Sequence, residues 1–355
     1  MSEAQETRLT GQITFSSSLE GARWRNRSGG NAFERWHFDA LSDDGREALI
    51  IAFYDNYPFS PRHLQKEKNG STSEPGNMVP AVAFTYFADG RVILRAVNEF
   101  RTDEIVTPDN GTGFSVANSS FRVEAADYGS GFVLNIDLLT ARKARIKAEL
   151  EWLSVESDLS KENATYDDGL ASWNMVAPRS DVSGRITLLG RQGTTKKVIH
   201  LRGTGYHDHF RCGRSLCEMI GSRYWGRAHF SDATAIFHHH EEGVGLACSK
   251  LFLIRDGKLH ERDVAVAGVS ARSPYGFRLP DRMSFLSNDK IRLRVKPVKV
   301  IHSGSFEATI LSEMTLVLRD GKPRKTLGIA KLITPVQTRP RFFRWLAEIR
   351  IGRKT

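Results

Sequence analysis

Cysteines and long apolar runs are both scarce in this sequence. Its 355 residues include only three cysteines, Cys212, Cys217 and Cys248, and an odd number without a regular spacing argues against a secreted domain held by disulfides. No stretch approaches the roughly 20 apolar residues that a membrane-spanning helix needs. The polar segment 1–20 lacks the apolar core of a signal peptide. We therefore expect a cytoplasmic protein.

The charge balance is basic, with 51 Lys and Arg against 41 Asp and Glu, a net charge of +10. Such a charge is compatible with binding to nucleic acid, with binding to an anionic membrane surface, or with a role in solubility alone. The basic residues are spread through strand-like segments and do not alternate with aromatics as in single-strand binders, so we expect no nucleic-acid partner. The oligomeric state stays open.

The C-terminal tail is the one exception to this spread of charge. Between Arg339 and Arg350, four apolar residues recur at helical spacing with basic residues between them: Phe342, Trp345, Leu346 and Ile349. This pattern predicts a short basic amphipathic helix. The helix would either lie on a membrane surface, as a peripheral contact, or dock on a face of the fold.

Most of the chain has the pattern of short antiparallel strands. The run 36–40, a turn at 43–46 and the run 48–54 predict a hairpin, and 82–87 with 92–97 repeat that pattern. Further strand pairs follow throughout the sequence, joined by Asp-Gly turns and almost without helices. The sequence therefore predicts an all-β protein built from sandwiches or up-and-down barrels.

Length and hairpin pattern together predict two related units in tandem. We expect a loose N-terminal segment at 1–30, a first barrel at 31–190, a second barrel at 191–338 and the basic tail at 339–355.

Proton-transferring and aromatic groups concentrate at residues 203–209, Gly-Thr-Gly-Tyr-His-Asp-His, and at 224–230, Tyr-Trp-Gly-Arg-Ala-His-Phe. If the first stretch is a strand, Tyr206, Asp208 and Phe210 share one face, and His207 and His209 share the other. The arrangement fits a proton donor to an apolar substrate. It equally fits a structural cluster of groups that bond one another.

An aspartic acid at this place has a defined chemical use if it is buried. Protonating an isolated double bond needs an acid that stays protonated near neutral pH, and an apolar surrounding would raise the pKa of Asp208. His207 or His209 would orient it or relay its proton. The resulting carbocation would be stabilised by aromatic ring faces. The candidates are Trp36, Trp173, Tyr206 and Trp225.

Other chemistry is less well supported. His207, His209, His229 and the run 238–240 would suit a metal, but 238–240 alternate faces, and we expect no metal. No glycine-rich phosphate loop follows a strand and opens a helix, so we expect no cofactor. Arg227 would bind a polar end of a substrate or pair with an acid.

Dispersed motifs resemble the hydroxyneurosporene synthase/carotenoid 1,2-hydratase family, which also contains lipocalin-like cyclases and Diels-Alderases. They are Trp-His-Phe-Asp-Ala at 36–40 with Asp-Gly-Arg at 44–46, Phe-Ser-Pro at 59–61, the Ala-Pro-Arg segment at 173–179, the Tyr-His-Asp-His motif at 206–209 and Trp-Gly-Arg-Ala at 225–228. The resemblance implies two lipocalin-like barrels and the addition of water to an alkene without a cofactor. It implies catalytic roles for Asp208, Tyr206 and Trp173.

The sequence departs from that family at Phe210, where an Asn commonly follows the second His. This change removes a polar group that would hold water, and it favours isomerisation or cyclisation over hydration. We expect a cofactor-independent, acid-catalysed reaction of an alkene in a terpenoid- or carotenoid-like substrate. The alternative is a non-catalytic lipid carrier. The expected catalytic residues are Asp208, Tyr206, His207 and His209, and the expected substrate-binding residues are Trp36, Trp173, Phe210, Trp225, Arg227 and His229.

Overall fold

The computed structural model describes residues 13–25, 31–68, 78–107, 113–126, 129–157, 159, 171–241, 247–272, 278–303 and 306–335. In these ranges the chain consists mainly of β-strands, which confirms the all-β prediction. The strands of the first sheet are β1 Ile13–Ser16, β2 Phe33–Ser42, β3 Glu47–Tyr54, β4 Ala81–Ala88, β5 Arg91–Glu99, β6 Ile105–Val106, β7 Gly113–Val116, β8 Ser119–Ala126, β9 Gly129–Leu139, β10 Arg145–Glu156, β11 Ala171–Leu189 and β12 Thr195–Cys212.

The second sheet follows in the chain. Its strands are β13 Ser222–His229, β14 Thr234–Glu241, β15 Ala247–Arg255, β16 Lys258–Arg272, β17 Arg278–Ser287, β18 Arg292–Ser303, β19 Glu307–Val317 and β20 Pro323–Ile333. Two helices lie between strands, α1 Pro61–Lys68 and α2 Leu216–Met219, with 3-10 turns at Glu20–Ala22 and Thr102–Glu104. Within the described ranges, no helix is both long and apolar enough to cross a membrane. The predicted tail helix at 339–350 lies outside the described residues.

The first sheet is a curled half-barrel. Its strand order is β5-β4-β3-β2-β12-β11-β10-β9-β8-β7-β6, and β1 pairs in parallel with β11. The predicted hairpins are confirmed as the antiparallel pairs β2–β3 and β4–β5. The curl brings β5 towards β9, where the side-chain amide of Asn98 bonds both the N–H and the carbonyl of Leu139, at 2.8 Å each.

The second sheet closes on itself as an eight-stranded barrel, β13 to β20. The expected tandem of β-barrel-like units is therefore present, with one unit closed and the other curled and open. Backbone pairing of the first sheet continues to Cys212, and that of the second begins at Ser222. The division into folding domains near residue 190 stays a prediction.

Alternating burial creates three main apolar layers. Strand β10 alternates exposed and buried side chains over residues 145–152, as its sequence predicts. One layer fills the curled sheet, with Trp36 and Phe38, and another fills the closed barrel, with Tyr224 and Phe237. The third layer joins Trp173, Tyr206 and Phe210 of the first sheet to Trp225, Ile236 and Phe252 of the barrel. The outer faces of the two units therefore pack on each other, and this junction positions the candidate site.

Candidate active site

Strand β12 divides its polar residues between two environments, as its alternation predicts. Tyr206 and Phe210 belong to the layer between the two units, and Asp208 lies between them on the same face with no exposed surface. His207 and His209 project from the opposite face into the curled sheet. Asp208 is thus buried between two packed sheets. This burial arises because the outward face of β12 is the one covered by the second unit.

The close approach at the start of this segment depends on glycine. A Cβ atom at Gly205 would lie 2.4 Å from Nε1 of Trp152 and 2.4 Å from Cγ2 of Val182. A side chain at residue 205 would therefore displace the indole from the interior of the curled sheet.

Strand register explains which groups meet Asp208. In the β2–β12 pair, Asp208 lies opposite His37, and Phe210 lies opposite Arg35. Residues 35, 37 and 39 share a face of β2 because side chains alternate along a strand. That face is continuous with the Asp208 face of β12, so a basic and acidic cluster forms across the two strands.

Arg35 forms an ion pair with Asp208. Its Nη2 donates to Oδ1 at 2.7 Å, and both side chains are buried. Burial acts to raise the pKa of Asp208, but the charge of Arg35, assisted by His37, the Arg35 hydrogen bond and Arg223, outweighs it and leaves that pKa below its ordinary value. The expected raised pKa is therefore wrong for this conformation: Asp208 is a carboxylate, because a cation occupies the place where an apolar wall was expected.

The second unit contributes a guanidinium and an indole to the cluster. Arg223 and Trp225 lie two residues apart and share the face of β13 that points to the first sheet. Nε of Arg223 donates to Nε2 of His238 at 3.0 Å. The Arg223 guanidinium carbon lies 4.7 Å from the Trp173 ring and 4.5 Å from the Phe210 ring. The Arg35 guanidinium carbon lies 5.7 Å from the same Phe210 ring, so two cations lie close to this ring.

Arg227 takes the second of its two predicted roles. Its Nε donates to Oδ1 of Asp39 at 2.8 Å, and both side chains are buried. His37 lies beside this pair, with Nε2 at 3.3 Å from the other oxygen of Asp39. Burial lowers the pKa of His37 against the opposing effect of Asp39. The Asp39–Arg227 pair thus links strand β2 to the barrel strand β13.

The two motif histidines contact a different set of groups. His207 stacks on Phe38 at 3.8 Å, and His209 stacks on Trp36 at 4.6 Å. His207 Nδ1 donates to the carbonyl of His37 at 3.0 Å, and burial lowers the pKa of His207 to about 3. Trp36 and both histidines therefore lie in the interior of the curled sheet, on the far side of β12 from Asp208.

His209 and His229 each have their own partners. His209 Nδ1 donates to the carbonyl of Gly21 at 2.8 Å, and Nε2 lies 2.9 Å from Oε2 of Glu34. His229 Nδ1 lies 3.2 Å from the hydroxyl of Thr234, and burial lowers the pKa of His229 well below its ordinary value. In the part of the chain that the structure describes, no three His, Cys, Asp or Glu side chains converge as a metal site would require.

Several polar atoms around Asp208 have no hydrogen-bond partner among the described residues. They are Oδ2 of Asp208, the hydroxyl of Tyr206, Nη2 of Arg223, Nε of Arg35 and Nε1 of Trp173 and Trp225. A narrow cleft reaches this cluster, with Arg35, Arg223 and Phe210 among its lining residues, and it leaves about 10 Å³ for the centre of a water molecule. That is room for about one water, so a larger ligand must widen the cleft.

Comparison with known proteins supports the family resemblance that the sequence motifs indicated. The chain is 20% identical over 354 residues to a protein named hydroxyneurosporene dehydrogenase from Chlorobaculum tepidum, covering 95% of this chain and 91% of that protein. The resemblance is confirmed. It is a similarity along the whole chain and not only at the motifs. No family model matches the sequence.

Two solved structures share the fold of this chain. An AttH protein of Nitrosomonas europaea superposes with a TM-score of 0.61 at 14% identity, covering 90% of this chain and all of that one. CghA, solved with Sch210972, superposes with a TM-score of 0.58 at 16% identity, covering 86% of this chain and 89% of CghA.

Arg35, His37, Asp39 and Arg223 are the members of the cluster that were not singled out as site residues from the sequence, although His37 and Asp39 lie within the 36–40 motif. Arg35 and His37 flank Trp36, which was singled out for its ring, and strand alternation would have placed them together on the opposite face. Arg223 precedes the 224–230 segment by one residue. The alternation of side chains along β2 and β13 is visible in the sequence and assigns these residues to one face of each strand. Which strands pair with β2 and β13 is not visible there.

Proposed function

We propose that the protein is an enzyme that transforms a carbon–carbon double bond in a hydrophobic, terpenoid- or carotenoid-like substrate without a cofactor. The observation that carries the proposal is the completely buried carboxyl group of Asp208, which is surrounded by rings from both units and has one oxygen without a hydrogen-bond partner among the described residues. The similarity, over 95% of this chain, to a protein named hydroxyneurosporene dehydrogenase supports the substrate class. Hydration, isomerisation and ring closure all begin from the same step.

In that step, Asp208 donates a proton to one alkene carbon, and the π electrons form the new C–H bond. The adjacent carbon becomes a cation, which the ring faces of Trp173, Trp225 and Tyr206 stabilise by roughly 0.5 to 2 kcal/mol each. Addition of water with return of a proton gives an alcohol, and loss of a neighbouring proton to the Asp208 carboxylate gives an isomer. Attack by an internal alkene forms a ring and a new cation, which loses a proton to the same carboxylate. These three outcomes are hydration, isomerisation and cyclisation, in that order. Phe210 supplies no group to hold water, which favours the last two.

The ion pair sets a condition on this chemistry. Asp208 bonded to Arg35 at 2.7 Å is a carboxylate, and a carboxylate cannot protonate an alkene. Substrate entry must therefore widen the cleft and separate Arg35 from Asp208, so that the carboxyl group takes up a proton in a dry surrounding.

The same ion pair is the specific observation that favours a second candidate, a lipid carrier without catalytic activity. In a carrier, Arg35 and Asp208 would stay paired and serve only to fix β2 against β12. The carrier would bind a polyene between the two units and release it unchanged.

Incubation with acyclic polyenes in heavy water, without added cofactor, tests the proposal. We expect deuterium at carbon in a product, its loss in Asp208→Asn, and its retention in Asp43→Asn, a matched control at an exposed turn. Binding of the polyene, followed by quenching of tryptophan fluorescence, should persist in Asp208→Asn. Binding without any deuterium incorporation by the wild-type protein would favour the carrier.

A further inference from the structure

Arg223 is a buried cation that forms no ion pair with any residue in the described ranges. Its side chain is 2% exposed, its Nε donates to the ring of His238, and within the described residues it forms no ion pair. Its Nη2 has no hydrogen-bond partner there. Burial lowers the pKa of Arg223 to about 9, so the guanidinium remains charged at neutral pH.

The charges around Arg223 do not cancel. Arg35 and Arg223 are two guanidinium groups, and Asp208, paired with Arg35, is the carboxylate that acts on both of them. The ring faces of Trp173 and Phe210 compensate only part of the cost of burying the extra cation. A buried, incompletely paired guanidinium marks a position where a ligand completes the pairing.

The geometry of the cleft indicates where that ligand enters. Arg35 and Arg223 line the same cleft, whose other walls are largely apolar. The apolar wall residues are Phe33, Phe59, Phe210, Leu216, Ile220 and Ile333. A guanidinium binds a planar pair of oxygens with two parallel hydrogen bonds. The site therefore suits a molecule with an apolar body and an acidic end.

We propose that Arg223, together with Arg35, binds a carboxylate or enolate group of the substrate, so that the substrate is a polyene acid and not a pure hydrocarbon. This inference rests on the proposed function, because it concerns the ligand of the same site. An anion beside Arg35 also weakens the attraction between Arg35 and Asp208, which favours the protonated carboxyl group that alkene protonation needs.

The test compares two probes with the same polyene chain, all-trans-retinoic acid, which is an anion at neutral pH, and its uncharged methyl ester. Binding is measured through quenching of tryptophan fluorescence. We expect the wild-type protein to bind the acid at least tenfold more tightly than the ester. Arg223→Gln should lose that preference while its affinity for the ester stays within about twofold, and Arg223→Lys, which keeps the charge, should retain part of it.

The matched control is Arg294→Gln, at an exposed arginine of the same barrel, which should keep the full preference for the acid. Equal binding of acid and ester by the wild-type protein, or binding of neither, overturns the inference. An equal loss of both probes in a folded Arg223→Gln variant does so too.

The outcomes separate this inference from the proposed function. Suppose that the protein prefers the acid, that this preference depends on Arg223, and that no deuterium enters any polyene. This result would support the anion-binding site and exclude the proposed enzymatic activity. Deuterium incorporation into an uncharged polyene, together with equal binding of retinoic acid and its methyl ester by the wild-type protein, would do the reverse.

Discussion

Nη2 of Arg35 donates to Oδ1 of Asp208 at 2.7 Å, across two paired strands and 173 residues of sequence, with both side chains buried. Within this pair each charge is balanced by the other. The second oxygen of Asp208 has no partner among the described residues. The pair is therefore both a structural element of the junction and the group on which the proposed chemistry depends.

Removing one member of this pair should destabilise the protein more than removing both. Asp208→Asn leaves the Arg35 guanidinium buried without its counter-ion, at an expected cost of about 3–5 kcal/mol in the free energy of unfolding. The double variant Arg35→Met/Asp208→Asn should recover at least half of that loss. Urea unfolding of the wild type, both single variants and the double variant measures the coupling. Additive losses would contradict a paired role.

Adding one methyl group at Gly205 should be costly for a steric reason. The Cβ atom would meet the indole of Trp152 and the side chain of Val182, and displacing them should cost about 1–3 kcal/mol. Gly257 is the control, because no atom lies within 4 Å of its added Cβ although its φ is +69°. Gly257→Asn tolerates that backbone conformation and should shift the thermal midpoint little. A similar midpoint for both variants would contradict the steric account.

Local pattern predicted strands such as β10 because burial alternates along them. The β2–β3 and β4–β5 hairpins need only neighbouring residues to form, and the opposed faces of β12 follow from strand geometry alone. The environment of Asp208 could not be predicted in the same way. It depends on the pairing of β12 with β2, far away in the sequence, and on the packing of β13 against both.

The same limitation explains the wrong pKa expectation. An apolar surrounding was inferred from Tyr206 and Phe210, the neighbours of Asp208 along its own strand. The group that decides the pKa is Arg35, which faces Asp208 only because Phe210 and Arg35 are opposite in register. The charge that a neighbouring strand places within 3 Å of a carboxyl group cannot be predicted from the sequence of the carboxyl group's own strand.

Lowering the pH below about 6.5 should destabilise the fold through its buried histidines. Burial lowers the pKa of His207 to about 3 and that of His240 to about 4, and it lowers the pKa of His238 well below its ordinary value. Their unfolded pKa is about 6.5, so below that pH the unfolded chain binds more protons than the folded one. The stabilising contribution is complete above pH 6.5 and is lost as the pH falls towards the folded pKa values.

The expected loss between pH 7.5 and 5.5 is roughly 1 kcal/mol for each such histidine. Urea midpoints at a series of pH values give the number of protons taken up on unfolding. His207→Gln should reduce that number by about one between pH 4 and 6. A stability that does not change over this range would contradict the neutral state of the buried imidazoles.

Loss of the Asn98 side chain should loosen the curl of the first sheet. Its amide accepts from the N–H of Leu139 and donates to the carbonyl of the same residue, joining β5 to the end of β9 where the strands are not paired by backbone bonds. Asn98→Ala leaves both backbone groups of Leu139 without that partner, and because these groups are only part-buried, we expect a cost of about 1 kcal/mol for each. Amide hydrogen exchange at Leu139 should accelerate with the loss of stability. Asn135→Ala, at a half-buried position on β9, is the control and should change exchange at Leu139 little; equal acceleration in both variants would contradict a specific bridging role for Asn98.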